Sequence, residues 1–233
     1  MFYDIYYDKP FVKDNHFFRL MTMNNVQRKG TMFIFSAPSG AGKSTVIKRV
    51  ISELDNVQLS VSVTTRAKRD GEVEGVDYYF ITEEKFRELV DKKALYEYVD
   101  SDFGPKYGTP REPVDKLLAE GKDIILDIDY PGVVQMRALA ADRIKTISLI
   151  PPSLKELRER LVNRKTDSIE VIERRMSMAE KRINECVHYD YIVVNDVLDK
   201  AVEEVKSIIL AARNETKNVC DLQGLIKSVI EEN

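Results

Sequence analysis

The segment Ser36-Ala37-Pro38-Ser39-Gly40-Ala41-Gly42-Lys43-Ser44-Thr45 constrains this chain more than any other. It follows Met32-Phe33-Ile34-Phe35, an apolar run short enough for a buried strand, and leads into 46–54, where apolar residues recur at helical spacing. A strand, a glycine-bearing loop closing on Gly-Lys-Ser, and a helix make the setting of a phosphate-binding P-loop. Backbone N–H groups of such a loop converge on phosphate oxygens, the helix N-terminus adds positive potential, and the glycines allow close approach. Ser39, Gly40, Ala41, Gly42, Lys43, Ser44 and Thr45 are therefore expected to hold a nucleoside triphosphate, with Lys43 on the terminal phosphates and the Ser44 hydroxyl on Mg²⁺. Ala37 stands where the usual pattern has its first glycine. The loop by itself implies bound phosphate and leaves open what is done to it.

The rest of the composition narrows the chemistry. The chain has 233 residues, enough for one α/β domain with small inserts. With 36 Lys and Arg against 39 Asp and Glu it carries a formal charge of −3, which speaks against a broad nucleic-acid surface. No apolar run is long enough for a membrane span. The acid-bearing, aromatic N-terminus (Asp4, Asp8 and Asp14 among Phe and Tyr) fits neither a signal nor a transit peptide, so a cytoplasmic location is expected. Cys186 and Cys220 form no metal or disulfide pattern, and the two histidines, His16 and His188, leave little for His-based metal sites or a Ser-His-Asp triad. Lys, Arg, Asp, Glu and a bound metal remain, an inventory that suits phosphoryl transfer.

Residues 1–29 read as an arm outside the fold, crowded with aromatics at no clean period. Residues 57–64 alternate apolar and polar and predict one strand. It runs into a basic loop where Arg66 and Arg69 could grip a phosphate as two forks. Thr82 followed by Glu83 and Glu84 predicts a helix start. Residues 95–100 predict a strand carrying Glu97, followed by turn chemistry through 103–110 and a helix over 111–120 stopped by Gly121. Residues 123–129 predict an apolar strand ending in acids, with Asp127 placed to act on Mg²⁺ directly or through water. Helices follow from Pro131 and from a Ser153/Glu156 capping box, and another begins at Asp167. Strands are expected at 144–150 and 191–196, then helical spacing over 201–212 and an amphipathic helix at the end that could pack on the core or on a partner. Strands alternating with helices imply a mainly parallel sheet, an α/β three-layer fold. The arginines after 154 sit among as many acids. Most read as solvated faces, with an arginine-bearing lid as the sharper alternative.

Taken in order, several segments resemble the guanylate kinase family: 36–44, Val-Ser-Val-Thr-Thr-Arg at 61–66, Arg69-Asp70-Gly71-Glu72-Val73, Gly75-Val76-Asp77-Tyr78, Tyr107-Gly108-Thr109, Leu126-Asp127-Ile128-Asp129 and Val193-Val194-Asn195-Asp196. The resemblance spans about 31–213. It implies a P-loop NTPase-type fold with a central parallel sheet over 30–213, a GMP-binding insert at 62–109, a lid at 154–178 and a C-terminal helix at 214–233 outside the match. It implies a purine-nucleotide kinase using MgATP and GMP as substrates, with dGMP as a further acceptor. Arg66, Arg69, Tyr78 and Tyr107 match the clamp on the GMP phosphate, Glu97 the guanine reader, and Ser62 and Thr109 the hydroxyls beside it. Asp127 and Asp129 match the acids on the metal and acceptor side, Arg160, Arg164 and Arg175 the lid arginines, and Asn195 a residue near the ATP adenine. The chain departs from the family pattern by an extra residue near Ser101-Asp102, by Tyr130-Pro131 before Gly132, and by Lys165 where glycine is common.

Three other readings compete: a non-catalytic interaction module of the same fold, a kinase for another monophosphate, and a regulatory P-loop NTPase. The intact Gly42, Lys43, Ser44, Arg66 and Asp127 argue against the first, and Glu97, Ser62 and Thr109 against the second. The third predicts ATP hydrolysis without an acceptor. The oligomeric state stays open.

Overall fold

The computed structural model describes residues 27–101, 104–163 and 167–231. Its centre is strand β1 (Met32–Ser36), buried along its whole length. A strand covered on both faces needs no polar alternation, which is why this run is apolar from Met32 to Phe35. Met32 and Ile34 point to one face, Phe33 and Phe35 to the other.

Phe33 and Phe35 pack against helix α1 (Lys43–Glu53) and, further along the chain, helix α7 (Leu198–Arg213), through Val46, Val50, Val202, Val205 and Ile209. Met32 and Ile34 pack against α3 (Arg111–Ala119) and α4 (Tyr130–Ala140), through Val114, Leu118, Val133 and Met136. Between these helix layers lies an all-parallel sheet of β2 (Val57–Leu59), β7 (Asp123–Asp127), β1, β8 (Ile144–Ile150) and β9 (Tyr191–Val194), in that order.

A second sheet departs from the sequence expectation. Residues 57–64 are not one strand. Ser60 still donates its N–H to the Ile125 carbonyl (2.8 Å), and then the chain leaves the parallel sheet. β3 (Ser62–Thr64) instead pairs with β4 (Tyr78–Phe80) and with β6 (Tyr107–Pro110), and β6 pairs with β5 (Leu95–Val99). The stretch 107–110, which has turn chemistry, is therefore a strand. An alternating pattern reports which face is buried and says nothing about which sheet a residue joins. Helix α2 (Glu83–Asp91), capped as expected by the Thr82 hydroxyl on the Lys85 N–H (3.2 Å), seals this sheet with Phe86 against Val63 and Leu95.

Two further helices, α5 (Leu154–Asn163) and α6 (Ile169–Asn184), pack on each other through Leu157, Leu161, Ile172 and Ala179. Half of the expected capping box forms: Ser153 Oγ accepts from the Glu156 N–H (3.1 Å), while the Glu156 carboxylate turns to Arg160 Nε (3.1 Å). The cap of α6 is Ser168 and not Asp167, whose carboxylate pairs with Arg175 instead. Most of the expected N-terminal arm, 1–26, lies outside the described residues. Its last residues join the fold: Gln27 and Lys29 exchange backbone hydrogen bonds with Cys220 and Asn218. Helix α8 (Leu222–Glu231) follows, with Val229 and Ile230 exposed. Among the described residues no helix is long and apolar enough to cross a membrane.

Asp123, fully buried at the start of β7, ties the sheet to the C-terminal segment. It accepts from the Thr31 N–H (2.9 Å) and Arg213 Nε (2.7 Å), with Arg28 at 3.4 Å. Removing its charge leaves two mostly covered guanidinium groups and weakens a buried network, at a cost of about 3 kcal/mol. Asp123→Asn should lower the melting temperature by about 10 °C, read by circular dichroism. A shift under 2 °C would show that the network contributes little.

Candidate active site

The P-loop leaves β1 at the carboxyl end of the parallel sheet, where open α/β sheets bind ligands. Gly40 and Gly42 have φ of 96° and 93°, a left-handed conformation that glycine adopts at no steric cost. A Cβ at Gly42 would lie 2.3 Å from Asn195 Nδ2. That amide, buried after β9, donates to the Ala41 carbonyl (2.7 Å), and the Asn195 carbonyl accepts from Arg160 Nη1 (3.0 Å). Asn195 and Arg160 thus buttress the loop from behind, and neither lines the cavity above it. The first turn of α1 carries no acid, so its positive end is left for a ligand.

That cavity, about 320 Å³, is lined by Ser39, Gly40, Gly42, Lys43, Ser44 and Thr45, with Arg175 and Arg182 of α6 opposite. Arg164 lies outside the described residues. A second cavity of about 380 Å³ opens on the small sheet and is lined by Ser62, Tyr78, Glu97, Tyr107, Asp127 and Asp129. Two ion pairs cross between the cavities: Lys43 Nζ with Asp127, and Arg182, through both terminal nitrogens, with Asp129.

Glu97 is the most unusual group in the second cavity. It is only 4% exposed, and Thr109 Oγ1 donates to its Oε1 (2.7 Å). Burial pushes its carboxyl up from the usual range, and the charge on Asp129 adds to this. Gly132 makes room for it, since a Cβ there would come within 3.0 Å of Glu97 Oε2. Arg66 lies 5.3 Å over the Tyr78 ring and forks onto Glu72 (2.6 and 3.0 Å), which raises the guanidinium pKa and lowers that of the carboxylate. Tyr78 and Tyr107 meet edge to face at 6.0 Å. Arg69 is exposed and its backbone N–H, not its side chain, bonds Glu72 (2.8 Å).

Ser44 and Asp127 are oxygen donors beside the P-loop, the hard ligands that Mg²⁺ accepts while keeping several waters. Among the described residues no group of three or more His, Cys, Asp or Glu could hold a metal alone. The donor set fits a metal that arrives with a nucleotide's phosphates.

Sequence reasoning passed over Glu72, Gly132 and Arg182. For Arg182 a signal existed: it is seven residues after Arg175, two helical turns on, hence on the same face. For Gly132 and Glu72 no local pattern pointed to a role.

A P-loop at the carboxyl end of a parallel sheet, facing an acid-bearing cavity on an inserted sheet, defines an α/β P-loop protein able to seat two ligands side by side. Comparison with known proteins narrows the class. The family model described as guanylate kinase matches residues 29–212. A guanylate kinase of Zymomonas mobilis is 42% identical over 203 residues, 87% of this chain and 94% of that one. One of Paramagnetospirillum magneticum is 44% identical over 192 residues, 82% and 89% of the two chains. The crystal structure of guanylate kinase from Anaplasma phagocytophilum superposes with a TM-score of 0.69 at 31% identity, covering 87% of this chain and 96% of that one. The chain belongs to the guanylate kinase family, and so to the nucleoside monophosphate kinases.

Proposed function

We propose that this chain transfers the γ-phosphoryl group of MgATP to the phosphate of GMP, and of dGMP, giving ADP and GDP or dGDP in the cytoplasm. The observation that carries the reading is Glu97, a buried carboxylate on the wall of a cavity linked to the P-loop cavity by the Lys43–Asp127 and Arg182–Asp129 pairs. Its two oxygens suit guanine, which offers N1–H and a 2-amino group side by side. Adenine offers neither, and would leave the carboxylate unpaired. Ser62 and Thr109 complete the polar wall. Arg66, over Tyr78 and Phe80, supports a grip on the GMP phosphate, for which Glu72 would give up its fork.

The P-loop N–H groups and Lys43 would hold the β- and γ-phosphates, and Ser44, with Asp127 through water, would hold Mg²⁺. Bound there, the metal would supply charge neutralisation for the phosphates. A GMP phosphate oxygen attacks the γ-phosphorus, the bond to the β–γ bridging oxygen breaks, and ADP leaves with that electron pair. Positioning and charge compensation supply the rate enhancement. Arg160 and Asn195, behind the loop, fit a role in holding its shape.

The reading is tested by ADP release from MgATP with GMP, dGMP, AMP, CMP, UMP or no acceptor. ADP is expected only with the guanine nucleotides. ADP without an acceptor would make the protein an NTPase, and no ADP from a folded chain that binds GMP would make it an interaction module.

A further inference from the structure

Arg182 is a cation of the site that has no part in this account. Arg182 projects from α6 on the same face as Arg175, and both line the cavity over the P-loop. Their partners differ. Arg175 stays within its own helical unit, paired with Asp167 at 2.9 Å. Arg182 reaches across to both oxygens of Asp129, an acid of the neighbouring cavity that holds Glu97. Its guanidinium therefore stands between the donor and acceptor cavities, where a phosphoryl group in transit must cross.

The company it keeps points the same way. Lys43, Arg66 and Arg175 each hold a carboxylate, on Asp127, Glu72 and Asp167. A carboxylate offers a cation the charge and the paired acceptors of a phosphate, so a guanidinium fork exchanges one for the other without a change of geometry. Arg182 on Asp129 is the fourth such pair. Asp129 has a side chain 51% exposed, so it can be left to water when the cation moves away. Arg182 itself is only 24% exposed, and its charge is correspondingly less screened.

Resting on the phosphoryl-transfer reading, we propose that Arg182 is a further catalytic residue: with both nucleotides bound, its guanidinium exchanges Asp129 for the transferring phosphoryl group. The cation compensates charge that is greatest on that group in the transition state, so it acts on kcat more than on either KM.

The test measures kcat and both KM values for the full chain, for Arg182→Met and Arg182→Lys, and for each of these in an Asp129→Asn background. Arg182→Met should lower kcat about 100-fold, with KM for MgATP and GMP within about threefold of the parent. Arg182→Lys should recover part of the loss, and the loss should persist in the Asp129→Asn background. A loss that disappears in that background would mean Arg182 serves only to hold Asp129, and overturns the proposal. So does a loss confined to KM, or none at all. A parent chain without GMP-dependent ADP release would overturn the phosphoryl-transfer reading itself, an outcome separate from those of the variants.

Discussion

Lys43→Ala should leave GMP-dependent ADP formation about 1,000-fold or more below that of the parent chain, while the protein stays folded. The two halves of this expectation have separate causes. Lys43 is the first residue of α1 and lines the P-loop cavity, so on the proposed reading its ammonium would meet the charge of the terminal phosphates. A fixed cation at a transferring phosphoryl group is among the largest single contributions such a site makes. For the fold, its only ion-pair partner among the described residues is Asp127, whose side chain is 44% exposed. Losing a pair of that kind costs under about 1 kcal/mol, because water can serve the carboxylate left behind. The helix is held by Val46, Ile47 and Val50, not by Lys43, and alanine is a good helix former. A coupled ADP assay and a thermal melt separate the two halves. Turnover within tenfold of the parent, from a variant that melts at the same temperature, would remove Lys43 from the chemistry.

Strands 32–36 and 123–127 were legible because they are buried almost throughout and so are written as short apolar runs, and 144–150 and 191–194 because Ile and Val recur in them, although Ile192 and Val194 are exposed. The Thr82 cap and the loop closing on Lys43 were legible because their chemistry is local. The break at Ser60 was not, since the alternation continues through 57–64 while the pairing partner changes. Tyr107-Gly108-Thr109-Pro110 has the residues of a turn, yet long-range pairing with Val63 and Thr64 makes it a strand; at Gly108 a Cβ would lie 2.8 Å from Leu95 Cδ1. The same division runs through the site. Motif residues announced themselves, whereas Asn195 under Ala41 and Arg182 on Asp129 are relations between distant parts of the chain. Arg182 was also masked by composition, because an arginine on a helix rich in acids looks like one more solvated partner.

Glu97→Gln should lower kcat/KM for GMP by about 100- to 1,000-fold, leave KM for MgATP unchanged, and narrow the preference for GMP over IMP. On the proposed reading the carboxylate presents two acceptors to N1–H and the 2-amino group. Glutamine presents one acceptor and one donor, and its donor meets the 2-amino group of GMP but nothing in IMP. The Thr109 hydroxyl on Oε1 does not exhaust the carboxylate, since each oxygen can accept twice. The pH dependence provides a second readout. Burial first, and Asp129 second, push the Glu97 carboxyl up, so it takes its proton at a higher pH than an ordinary glutamate. Protonation removes an acceptor, so KM for GMP should rise as pH falls through that raised value. The phosphate of GMP itself titrates near pH 6, but it does so equally for the parent and for Glu97→Gln, and cancels in their ratio. The acid limb that remains in the ratio belongs to Glu97 and should be missing from the variant. Unfolding cannot imitate this. With a folded pKa above the unfolded one, the folded chain binds the extra proton, so this group adds stability as pH falls through the raised value. A variant that keeps the parent's GMP-to-IMP ratio, or its acid limb, would mean that another group reads the base.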